Sequence, residues 1–154
     1  MAGALTVRPL RQDETDAAAR IHRLCLENFP FLGELIHTPD EDRAFYRESV
    51  FHDCTLLGAF DSDTLAGHVA FKPGWIDHLY VDPDCQGQGI GTMLLDRVKA
   101  AQDDIQLWTF QANAGARRFY ERHDFLAEEL TDGAGNDEGE PDVRYRWRRN
   151  GAEA

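Results

Sequence analysis

Apolar residues change their spacing several times along the chain, and each change predicts an element. Leu5 and Val7 alternate with polar neighbours as a short strand does, and Pro9 fits only at a sheet edge or at that strand's end. From Asp13 the period becomes helical. Ala17, Ile21, Leu24 and Cys25 share one face, while Asp13, Glu14 and Asp16 sit where acidic groups complement the helix dipole. Thr38-Pro39-Asp40-Glu41 combines a capping hydroxyl, a proline at the first helical position and a glutamate three residues after the cap. A second helix to about Val50 is expected. Cys54 to Phe60 and Leu65 to Phe71 are short apolar runs around Asp61-Ser62-Asp63, which predicts an antiparallel hairpin. Lys72-Pro73-Gly74 turns the chain into another strand, Trp75 to Val81, ended by Asp82-Pro83.

A helix follows with Ile90, Met93, Leu94 and Val98 on its core face, then a strand from Ile105 to Phe110. Asn113 is placed to cap a helix running to about His123. Phe125 to Leu130 is extended again, and Val143, Tyr145 and Trp147 alternate with Arg144, Arg146 and Arg148 in a last strand. Thr131 to Glu140, between those strands, is polar, acidic and glycine-bearing. No repeat or linker interrupts this series, so residues 1–154 are read as one domain.

Composition narrows the function classes. With 28 acidic against 16 basic residues the formal net charge is −12, which opposes a sequence-independent grip on nucleic acid. No nucleic acid partner is expected. Cys25, Cys54 and Cys85 are odd in number and widely spaced, which suits neither a disulfide framework nor a zinc site. They are read as reduced thiols of a cytoplasmic protein. The N-terminus lacks a basic segment followed by an apolar run, and no apolar stretch approaches a membrane span, so neither secretion nor a membrane partner is expected. His22, His37, His52, His68 and His123 lack metal-ligand spacing, and no metal is expected.

The chemistry concentrates in Leu79-Tyr80-Val81-Asp82-Pro83-Asp84-Cys85-Gln86-Gly87-Gln88-Gly89-Ile90-Gly91-Thr92. Three glycines at alternate positions stand between a strand and an amphipathic helix, where unpaired N–H groups and the positive helix end converge on an anion. Glycine spacing alone supports a phosphate loop and a tight turn that binds nothing equally well. Two better-known phosphate loops fail: Thr92 stands where a dinucleotide fingerprint needs glycine, and no Gly-Lys-Ser/Thr occurs.

Gln86-Gly87-Gln88-Gly89-Ile90-Gly91 resembles the acetyl-CoA loop of the Gcn5-related N-acetyltransferase (GNAT) superfamily, Gln/Arg-x-x-Gly-x-Gly/Ala. A second family element, Asn before a helix bearing Phe/Leu-Tyr and ending at Gly-Phe, is similar to the run from Asn113 through Phe119-Tyr120 to Asp124-Phe125. Asp124 departs from the family's usual glycine, although aspartate tolerates left-handed backbone better than most residues. The resemblance implies a single α/β domain of the α+β type. Its mixed, mostly antiparallel sheet would be flanked by about four helices, with a splayed parallel strand pair at the cofactor site. It implies acetyl-CoA as co-substrate, its pantetheine paired with Leu79, Tyr80 and Val81 and its pyrophosphate held by the loop Gln86, Gly87, Gln88, Gly89, Ile90, Gly91 and Thr92.

By the same resemblance Asn113 bonds the pantetheine and Tyr120 donates a proton to the leaving thiolate. Seven residues separate the two, about two helical turns, so both look from one helix face. Tyr120 is equally readable by itself as a half-buried aromatic beside Phe119. Lys99, Arg117 and Arg118 are either ligands of the nucleotide phosphate or solvated surface charge.

The implied reaction is attack of a neutral primary amine on acetyl-CoA, which requires a base. Asp77 and His78 precede the acetyl site and, as strand neighbours, point to opposite faces. Asp77 is preferred, because it is in phase with Trp75, the level at which some similar sequences carry a glutamate base, while His78 has the better unperturbed pKa. A water chain is the third possibility. By the same resemblance Glu34 and His37 stand where one wall of the site for a small-molecule or peptide amine acceptor forms, and Phe29, Phe31 and Leu32 either add an apolar wall or are ordinary core packing. The acidic run from Glu128 to Asp142 would attract a polyamine or basic peptide, or is a solvated charge run. Cys85 has neighbours that do not lower a thiol pKa, against a covalent cysteine route. A homodimer is expected by analogy only. The alternative reading is a non-catalytic acyl-CoA-binding or sensing module that keeps the loop without productive acid-base groups.

Overall fold

A computed structural model describes residues 4–149, so the first three and last five residues of the expected domain lie outside it. Seven strands form one sheet in the order β1-β2-β3-β4-β5-β7-β6. They are β1 (Leu5–Pro9), β2 (Thr55–Asp61), β3 (Thr64–Lys72), β4 (Trp75–Val81), β5 (Asp104–Phe110), β6 (Leu126–Leu130) and β7 (Asp142–Arg148). Every neighbouring pair is antiparallel except β4 and β5, which run parallel and pair only at Trp75↔Gln106. Pro9 closes an edge strand, where its missing N–H leaves no ladder bond unmade.

Helix α1 (Thr15–Glu27) buries Ala18, Ile21 and Cys25. At α2 (Pro39–Phe45) the expected capping box is present, with Glu41 N–H donating to Thr38 Oγ1 and Thr38 N–H donating to the Glu41 carboxylate. The rod continues past the expected end at Val50 through a π-helical stretch, Tyr46–Val50, into α3 (Phe51–Asp53). That wider turn aims Tyr46 into the core, where it is fully buried. Helix α4 (Ile90–Ala101) buries Ile90, Leu94, Leu95 and Val98, and α5 (Ala114–Arg122) buries Tyr120.

The two sheet faces are covered unequally. Residues of α4 and α5 pack with Ala59, Ala66, Ile76, Ile105, Leu107, Val143 and Tyr145, a core reaching from β2 to β7. On the other face, α1 and the α2–α3 rod pack with Leu56, Phe60, Leu65 and Ala70, so that core stops at the β4 side. Beyond it, β5 presents Trp108 at 43% exposure. No helix among the described residues is long and apolar enough to cross a membrane.

Candidate active site

Sheet pairing opens the site. Asp82 N–H donates to Ala66 O on the β3 side, so by strand alternation the peptide groups of Leu79 and Val81 aim away from β3 towards β5. Past Trp75↔Gln106 no β5 partner meets them. The resulting cleft has a volume of about 610 Å³. Val81 O is bonded there by the Gln86 side-chain amide at 3.2 Å and by the Cys25 thiol at 3.2 Å.

At the cleft's end the chain passes through a short helical turn into Gly87 and Gly89, whose φ values are +84° and +81°. Non-glycine side chains are strained there. Space stands open where a Cβ would sit on either residue. Gly89 is the N-cap of α4 with no side-chain cap, and the first turn of that helix carries no acidic residue. The entrance N–H groups and helix dipole are thus left for an anion, and the open cradle over the glycines fits a phosphate.

On α5, Asn113 caps its own helix, accepting from Ala116 N–H at 3.1 Å. That engages Oδ1, and Asn113 also lines the cleft. Tyr120 also lines the cleft, 7% exposed, and burial pushes its hydroxyl up so that it keeps its proton.

On β4 a bulge alters the expected geometry. Ala70 pairs with His78 and Phe71 with Ile76, leaving Asp77 as the extra residue. Strict alternation fails here: Asp77 meets Cys54 and His78 meets Tyr46, so both turn to the side of the α2–α3 rod rather than parting to opposite sides. The Asp77 carboxylate is 3.0 Å from Lys72 Nζ and accepts from the Cys54 thiol at 3.6 Å. His78 is pushed down to about 4 by burial, and its Nδ1 is buried without a hydrogen-bond partner among the described residues. Behind it, the Tyr46 hydroxyl stands 2.7 Å from His22 Nδ1 and 2.9 Å from His68 Nε2. With one proton, that hydroxyl donates to one ring and accepts from the other. The His22 ring lies 5.2 Å from His78 and 4.4 Å from Tyr80, so four elements build one polar aromatic cluster behind the cleft.

The Acetyltransferase (GNAT) family profile matches residues 18–125. The chain belongs to that family. "Uncharacterized N-acetyltransferase MJ1207" of Methanocaldococcus jannaschii is 36% identical over 63 residues, covering 38% of this chain and 28% of that protein. The match thus spans well under half of that relative's length. The PaiA N-acetyltransferase of Thermoplasma acidophilum, solved in complex with coenzyme A, is 19% identical. It superposes with a TM-score of 0.75 over 94% of this chain and 99% of its own. YncA of Salmonella typhimurium, solved with its cofactor acetyl-CoA, is 17% identical with a TM-score of 0.73, over 99% of this chain and 98% of that one. At these identities the two structures establish a common GNAT fold.

Within that fold the cleft gathers Asp77, His78, Leu79, Tyr80, Val81, Gln86, Gly87, Gly89, Ile90, Gly91, Thr92, Asn113 and Tyr120. Gln88 is exposed and does not line it. Glu34 and His37 stand outside as well, whereas Phe29 lines it and Phe31 stacks on Phe29 at 5.3 Å. Lys99 is engaged by the carbonyl of His123, and Arg117 by the Tyr145 hydroxyl. Arg122 lines the cleft instead, a residue without a motif to announce it. Asp124 takes φ +70°, the left-handed turn expected where the family carries glycine. Cys85 borders the cleft with its thiol pushed up by burial and by Asp82 and Asp84, and Cys25 is pushed up to about 11, chiefly by burial. Neither is a ready nucleophile.

Proposed function

We propose that the protein transfers an acetyl group from acetyl-CoA to a primary amine by direct attack. The observation that carries this reading is the unpaired seam between β4 and β5 ending at the uncapped glycine turn of α4. Leu79 and Val81 offer strand peptide groups to the pantetheine amides, and the Val81 carbonyl exchanges its Gln86 and Cys25 donors for the ligand. Gly87, Gly89, Ile90, Gly91 and Thr92 offer N–H groups to the pyrophosphate, with Arg122 the cation at that end. Gln88 contributes only through its peptide. Asn113 Nδ2 fixes the pantetheine arm.

Acetyl-CoA supplies an acetyl thioester. An alkyl amine of pKa about 10.4 is less than about 0.1% neutral at pH 7, so a proton must leave the amine before or during C–N bond formation. His78 displaces Asp77 as the favoured acceptor of that proton, because Asp77 is paired with Lys72 while His78 lines the cleft with a ring that burial keeps neutral. Asp77, paired with Lys72, orients the approaching ammonium. As the C–S bond breaks, Tyr120 delivers its hydroxyl proton to the sulfur.

The test pairs calorimetry with a CoA-release assay. Tyr120→Phe should bind acetyl-CoA with the wild-type Kd and lower kcat about 100-fold, the scale of a lost general acid. Unchanged kcat removes that role from Tyr120. No binding to the wild-type protein removes the reading itself, and tight binding without turnover of any amine favours a sensing module.

A further inference from the structure

We infer that the acceptor is an arylalkyl monoamine whose ring seats among Leu26, Phe29, Trp108 and Phe110. This inference rests on the acetyltransferase reading above and names the substrate class of that same site.

The cleft runs through the sheet and has two unlike mouths. Leu107 belongs to the core beneath α4 and α5, and Leu79 and Val81 pack against it. The glycine turn, Asn113, Phe119, Tyr120 and Arg122 belong to that mouth, which is the carrier's. Strand alternation turns Trp108 and Phe110 to the opposite face. There Phe110 meets Phe31 edge-on at 5.7 Å, and Phe31 stacks on Phe29, which follows the last turn of α1 that carries Leu26. The same mouth holds His78 and Tyr80 against His22 of α1. The wall facing the proposed base is therefore aromatic.

Charge decides what that wall accepts. Among the described lining residues the ionised side chains are Asp77 and Arg122. Asp77 is already paired with Lys72 at 3.0 Å, and Arg122 lies at the carrier mouth. A polyamine would bring a second ammonium to a mouth without a free carboxylate. An α-amino acid would bring a carboxylate to a mouth without a free cation. The acidic stretch at 131–142 does not line the cleft, so its attraction for cations is not applied to the reacting amine. A single ammonium on a flat apolar body brings one positive charge, which the Asp77 carboxylate shares with Lys72, and Trp108, 43% exposed, gives that body a face to stack on.

The experiment measures CoA release from acetyl-CoA by the full chain with phenethylamine, phenylalanine and spermidine, beside calorimetric acetyl-CoA binding. Phenylalanine carries the same ring with a carboxylate added. The expected kcat/KM for phenethylamine exceeds that of either rival at least tenfold. Trp108→Ala and the milder Phe29→Leu should each raise the phenethylamine KM at least fivefold, with the acetyl-CoA Kd unchanged. Preference for spermidine or phenylalanine, KM values indifferent to both substitutions, or acetyl-CoA binding with no turnover of phenethylamine would overturn the inference while leaving the carrier site standing. Failure to bind acetyl-CoA would instead overturn the reading beneath it.

Discussion

Gly89 holds two properties that no other residue type combines: φ of +81° at the N-cap of α4 and open space where a side chain would project. A substituted valine meets no clash but does meet backbone strain, about 1–2 kcal/mol for a residue forced left-handed. The turn relieves that strain by rotating, which swings the entrance N–H groups off a common point. Gly89→Val should therefore keep the wild-type circular dichroism spectrum and lose calorimetric acetyl-CoA binding. Intact affinity would show that the pyrophosphate is held elsewhere. This residue was legible from its spacing in the chain. Asp77 was not, because a bulge is a property of two strands: only the register of Ala70 and Phe71 against β4 reveals the extra residue. The aromatic mouth was half legible, since Phe29 and Phe31 stood near an expected acceptor wall while Trp108 and Phe110 read as ordinary strand residues. The His22, Tyr46, His68 and His78 cluster joins four elements distant in sequence, and no local pattern carries it.

At the scale of elements, the α2–α3 rod is fixed at its start by the Thr38 capping box and at its middle by the π-helical stretch that turns Tyr46 inward. The cap was readable because its chemistry lies within four consecutive residues. The π turn was not, because it answers to the distant rings of His22 and His68. Thr38 is exposed and stands outside the cleft. Thr38→Ala removes the acceptor for Glu41 N–H, and a lost N-cap typically destabilises by about 1 kcal/mol. Urea unfolding should show a lower midpoint by that amount at unchanged slope, with the acetyl-CoA Kd as in wild type. A weaker Kd would mean that the rod is coupled to the carrier seam, against the separation of the two cores by the sheet.

For the whole molecule, the buried histidines set a limit on acid stability. Burial pushes His22 down to about 3 and His78 down to about 4, and His68, fully buried, lies well below its ordinary value. The unfolded chain protonates all three near pH 6.5, whereas the native protein does not. Below pH 6.5 the unfolded state thus binds more protons, so stability is full above that pH and declines as pH falls towards 4. Each histidine contributes a slope of about 1.4 kcal/mol per pH unit, and the three together about 4, against a usual total of about 5–15 kcal/mol. Glu14, lowered to about 2 mainly by its hydrogen bond from Arg8, acts in the same direction but only below the carboxylate range near 4.5. The onsets of the two windows therefore separate. Urea unfolding between pH 7 and pH 5 should lose stability steeply before any carboxylate titrates, and His22→Gln should flatten that limb by about a third. A flat profile over the same range would mean that the cluster opens to water at little cost, and α1 would then be the element that lifts from the sheet to admit it.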